Sequence, residues 1–182
     1  MLQHEGDPSR CVVLLPGVRY FSQAPLLWFA REAAQAGGWS VVEVDERAPA
    51  EEDPFEWMRG RAEQALELAS GSEQVVVIGK SLGSAAAPMV SGPAIWLTPL
   101  LTRPEIAGAI GSASAPTLVI GSPDDPSWGD GVESGGPVVK TLEIGGLDHS
   151  LQVRGDPGAS LAVLREVTAR VSSFLAERAG SP

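Results

Sequence analysis

Five residues, Gly79-Lys80-Ser81-Leu82-Gly83, constrain this chain more than any other segment. They follow the apolar run Gln74-Val75-Val76-Val77-Ile78 directly and precede the small-residue stretch Ser84-Ala85-Ala86-Ala87. The order predicts a strand, a tight turn with serine at its apex, and then a helix. A Gly-x-Ser-x-Gly turn forces its serine into a strained, exposed conformation, and the flanking glycines are needed where a Cβ would collide with neighbouring elements. The hydroxyl then stands at a helix N-terminus, whose free N–H groups can stabilise an oxyanion.

A serine nucleophile needs a base. The chain has two histidines, His4 and His149. His4 lies in a polar stub, residues 1–9 or 10, expected to fray like most untethered termini. His149 lies in Gly145-Gly146-Leu147-Asp148-His149-Ser150, just after the late alternation Val138 to Ile144. A loop after a late strand brings an imidazole to the rim of a parallel sheet, so His149 is the expected base. A third group must orient the imidazole and stabilise its charge. Pro116 to Gly121 reads as a buried strand, and the turn Ser122-Pro123-Asp124-Asp125-Pro126 follows. Asp124 is the first candidate. Asp125, before Pro126, is the second and suits a turn cap. Asp148 is the third, but it adjoins His149, and neighbouring side chains diverge. The order serine, acid, histidine is neither that of chymotrypsin nor that of subtilisin.

With these residues the chain resembles a compact, lidless member of the α/β-hydrolase superfamily over nearly its whole length. Val12 to Leu15 running into Pro16-Gly17-Val18-Arg19-Tyr20 resembles the family's oxyanion loop, with proline at its frequent histidine position. Gly121-Ser122-Pro123-Asp124 resembles its acid turn, and Gly146-Leu147-Asp148-His149-Ser150 its histidine loop. The resemblance implies an oxyanion hole formed by the amides of Val18 and Leu82. It also implies a serine esterase with the triad Ser81, Asp124 and His149, working without a cofactor. Thioesterase, lactonase, amidase and acyltransferase chemistry use the same machinery, and an idle scaffold of this fold is the reading from another class.

Strands are expected at 11–15, 40–45, 74–79, 94–97, 116–121 and 138–144. Helices are expected at 25–36, 54–70, 82–91, 103–111 and 158–178. Alternation of this kind predicts a three-layer, doubly wound, mostly parallel sheet of about six strands in one domain, 1–182, with 179–182 also frayed. Thr98 to Ala115 has room for one helix and no lid, which favours small or exposed ester and acyl substrates. Trp96 and Trp128 are candidate walls of an acyl pocket. Arg19 is a candidate for holding a substrate carboxylate, and Tyr20 for assisting the oxyanion hole. Lys80 is expected to meet solvent or a carboxylate, and the acidic stretch Glu43 to Asp53 to form a solvated loop.

Composition narrows the classes further. A net charge of -10 disfavours nucleic acid and anionic membranes as partners. No apolar run approaches the roughly 18 residues of a membrane helix, and the N-terminus lacks the signature of a signal peptide. There is no Cys/His cluster for a metal and no P-loop glycine pattern. The single cysteine, Cys11, heads an apolar strand and is expected to be an inert buried thiol. These features point to a cytoplasmic monomer or homodimer.

Overall fold

The computed structural model describes residues 1–132 and 138–180. Its sheet has seven strands: β1 Leu2–His4, β2 Asp7–Leu15, β3 Trp39–Glu43, β4 Gln74–Lys80, β5 Ala94–Leu97, β6 Thr117–Gly121 and β7 Val139–Glu143. Their spatial order is β1-β3-β2-β4-β5-β6-β7. Every neighbouring pair is parallel except β1 with β3, which is antiparallel. The α-helices are α1 Pro25–Ala36, α2 Pro54–Ala69, α3 Pro104–Gly111 and α4 Pro157–Ala179. Among the described residues, no helix is long and apolar enough to cross a membrane.

Strand periodicity builds the three layers. Along β2, Cys11, Val13 and Leu15 face one apolar cluster, shared with Trp57 and Met58 of α2 and Ile106 of α3. Val12 and Leu14 face the other, shared with Leu27 of α1 and Val171 of α4. Helix starts follow the proline signals. Asp53 accepts from the amides of Phe55 (2.8 Å) and Glu56 (3.1 Å), with Pro54 in the first turn, a cap that contributes about 1 kcal/mol. Asp156 caps α4 through the amide of Ala159 at 2.9 Å.

Three expectations change. Residues 1–9 are not frayed: β1 pairs with β3, β2 begins at Asp7, and the amino terminus bonds Glu46. At the other end, Ala179 closes α4, and 181–182 lie outside the described residues. The helix expected at 82–91 is a 3-10 helix, Ser81–Met89. Pro88 has no N–H for a bond back to Ser84, and the Ser84 hydroxyl already occupies the Ser81 carbonyl at 2.6 Å. The stretch from Glu43 is not simply solvated either. Glu43 is fully buried, with its carboxylate on Arg31 (3.3 Å) and His4 (3.1 Å).

Topology then fixes where the site lies. After β2 the chain turns to β3 on one side, whereas β4 lies on the other. The loops leaving the C-terminal ends of β2 and β4 therefore abut, as at the binding crevice of open α/β sheets. Between β5 and β6, α3 is the one helix, so nothing in that connection roofs the crevice.

Candidate active site

Ser81 heads the turn after β4 with φ 52°, a left-handed conformation uncommon for serine. The turn fits because its two glycines leave room. A Cβ at Gly79 would lie 2.5 Å from the Trp96 ring, and one at Gly83 would lie 2.4 Å from the Leu15 carbonyl oxygen. The turn is thus pressed between β2 and β5, and Ser81 itself is only 8% exposed.

From there a continuous chain of hydrogen bonds runs across the sheet. Ser81 Oγ lies 2.7 Å from His149 Nε2, and His149 Nδ1 lies 2.6 Å from Asp125 Oδ2. It is therefore Asp125, the second candidate, and not Asp124, the first, that faces the imidazole. The reason lies in the turn. The amide of Asp125 donates to the Ser122 carbonyl at 3.1 Å, so Pro123 and Asp124 occupy the exposed corner. Asp125 then re-enters the interior, 2% exposed, with its other oxygen accepting from the Ser127 amide at 2.9 Å. Asp124 accepts instead from the amide of Gly146 at 2.6 Å, tying the acid turn to the histidine loop. Asp148 shapes that loop from within, accepting from the amides of Ser150 (2.8 Å) and Gln152 (3.0 Å).

The loop after β2 closes on itself through reciprocal backbone bonds between Gly17 and Tyr20, at 3.1 and 3.3 Å, with Arg19 at φ 57°. It lies directly on the serine, since a Cβ at Gly17 would stand 3.1 Å from Ser81 Cβ. Among the described residues the Val18 amide donates to nothing, and Leu82 lies in the first turn of the 3-10 helix, where amides lack an intrahelical acceptor. Both residues line one cleft of about 340 Å³, whose lining also includes Phe21, Pro49 and Trp57.

Of the four candidate pocket residues, Arg19 lines this cleft. Trp96 and Trp128, each 2% exposed, do not. Their rings fill the spaces left by Gly79 and Gly121, and Trp128 Nε1 donates to Glu143 at 3.2 Å. Both are core. Tyr20 packs beneath the loop, and its hydroxyl accepts from the Leu26 amide at 3.0 Å. Residues 46–50 and Glu52, expected only as part of a solvated loop, also line this cleft, as do Pro54 and Trp57 of α2; their signal was position, after the C-terminal end of β3.

Lys80 departs most from expectation. It is 2% exposed, with its ammonium 4.6 Å from the centroid of the Tyr20 ring. Burial lowers its pKa from 10.5 to about 8, only partly offset by the Asp125 and Asp148 carboxylates. The folded chain thus disfavours the charged form, and the unfolded chain binds more protons between those two pH values. Stability should rise with pH across that window, and the full cost should apply below about 8. At roughly 1.4 kcal/mol per decade, less the lost cation–π contact, Lys80→Met should gain about 2 kcal/mol at pH 7. Urea unfolding of both proteins at pH 7 and pH 10 checks this. A gain that does not shrink at the higher pH would mean the ammonium is not what burial penalises.

Compared by sequence, the chain matches no protein-family model and no curated protein. Among solved structures it is similar to Est1E from Butyrivibrio proteoclasticus with ferulic acid bound (13% identity, TM-score 0.74, covering 99% of this chain and 95% of that one). It is similar to the Pyrococcus furiosus esterase Pf2001 at 14% identity, TM-score 0.70, covering 93% of this chain and 83% of that one. Mouse alpha/beta hydrolase domain-containing protein 10 gives 13% identity and TM-score 0.70, covering 97% and 93%.

Proposed function

On the α/β-hydrolase fold that this chain adopts, we propose that it is a serine hydrolase cleaving small or exposed esters through an acyl-enzyme. One observation carries the reading: the unbroken hydrogen-bond path from Ser81 through His149 to the buried Asp125 carboxylate. Similarity to the Pyrococcus furiosus esterase Pf2001 agrees with it.

In the resting site the Asp125 carboxylate accepts from Nδ1–H of a neutral His149, leaving Nε2 to accept from the Ser81 hydroxyl. As Oγ attacks an ester carbonyl, Nε2 takes its proton, and Asp125 stabilises the imidazolium. The amides of Val18 and Leu82 receive the developing oxyanion. The imidazolium then protonates the departing alcohol. Water, activated by the same nitrogen, attacks the acyl-enzyme and returns the proton to Ser81. The open crevice suits substrates that need no deep acyl tunnel.

A fluorophosphonate tests the first step, because it phosphonylates only an activated serine. Intact mass should increase by one adduct per chain, located by peptide mapping at Ser81. A folded chain that stays unlabelled would instead identify an idle scaffold of this fold.

A further inference from the structure

The cleft beside Ser81 carries a charge pattern that ester hydrolysis alone does not require. Its walls are apolar at Phe21, Pro49 and Trp57, yet two arginines, Arg19 and Arg47, stand among them. Neither forms an ion pair among the described residues. The Arg47 guanidinium lies 4.1 Å from the centroid of the Phe21 ring. A stacked guanidinium keeps its edge N–H donors free for a planar anion. Arg19 belongs to the oxyanion loop itself, and its backbone conformation is fixed by the Gly17–Tyr20 closure.

The carboxylates of the same lining do not cancel these cations. Glu46 is held by Arg61 at 2.8 Å and by the amino terminus. Glu52 alone remains against two guanidiniums. In a chain of net charge -10, two arginines without an ion pair in one lining, beside two glutamates of which one is already held, leave guanidinium donors available to a ligand anion.

Resting on the assignment of Ser81 as nucleophile, we propose that this cleft selects esters whose acyl chain ends in a carboxylate, with Arg47 and Arg19 as its anchors. The volume of about 340 Å³ suits a chain of a few carbons along Phe21 and Trp57 with its terminal anion against the two guanidiniums. Glu52 disfavours a doubly charged phosphate more than it does a single carboxylate.

The experiment compares the para-nitrophenyl half-ester of adipic acid with para-nitrophenyl hexanoate, which has the same acyl length without the charge. In the native protein kcat/KM for the half-ester should exceed that for the hexanoate about tenfold, mainly through KM, and the excess should fall with added salt. In the double variant Arg19→Gln, Arg47→Gln the ratio should drop toward one, and Arg47→Lys alone should keep part of it. Hexanoate turnover without a preference, or a preference surviving the double variant, would overturn the inference while leaving the esterase reading intact. Turnover of neither ester by the native protein would overturn both.

Discussion

Ser81→Ala should lower the hydrolysis of a small aryl ester by about a million-fold, to within the residual that an oxyanion hole and binding sustain alone. The expectation is this large because, in the proposed mechanism, serine, histidine and acid act as a unit. Without Oγ there is no acyl-enzyme, and His149 has no proton to accept in the first step. The fold should be unaffected. Alanine keeps a Cβ at φ 52°, so the backbone conformation is no harder for it than for serine. The bonds that hold the turn remain, including that from the Ser84 hydroxyl to the residue 81 carbonyl at 2.6 Å. Circular dichroism and Tm of the variant should match the native values, while fluorophosphonate labelling disappears. Retention of even one per cent of the native turnover would show that another group supplies the nucleophile.

The parts of this site that were legible in the sequence are those with one-dimensional signatures. Gly79 and Gly83 around Ser81 mark a position where neighbouring backbone and rings leave no space for a Cβ, and that requirement is visible in the residues themselves. His149 was legible by scarcity. Strands such as β4 and β6, covered on both faces, appear as continuous apolar runs. The pairing of β1 was not legible: three short residues at an edge carry no periodicity, and only the exposed flank of β3 reveals where they go.

Direction was the other thing the sequence withheld. Trp96 lies in β5 and Trp128 seven residues beyond the end of β6, and the rings of both turn inward onto glycines, Gly79 and Gly121. Lys80 alternates with Ser81 at the rim, and a lysine beside an exposed serine reads as solvated. The structure instead lays its stem under Gly17, whose Cβ would stand 3.2 Å from Lys80 Cδ, and its charge against Tyr20. Such burial depends on a loop contributed sixty residues earlier, which no local pattern reports.

The adjacent aspartates 124 and 125 give the sharpest separation. Asp125→Asn should cost about 10³- to 10⁴-fold in kcat, because an amide opposite Nδ1 favours the wrong imidazole tautomer and cannot stabilise the imidazolium. Its burial, 2% exposed, lets no water replace the lost charge. Asp124→Asn should cost only a few-fold. The amide oxygen still accepts from Gly146, now as a neutral bond about half as strong, so the histidine loop loosens without losing its acid. Steady-state turnover of one ester by the two variants decides between them, with the fluorophosphonate labelling rate as a second readout. If the larger loss followed Asp124→Asn, the imidazole in solution would be held by the corner residue, and the pairing at 2.6 Å with Asp125 would not be the one that works during turnover.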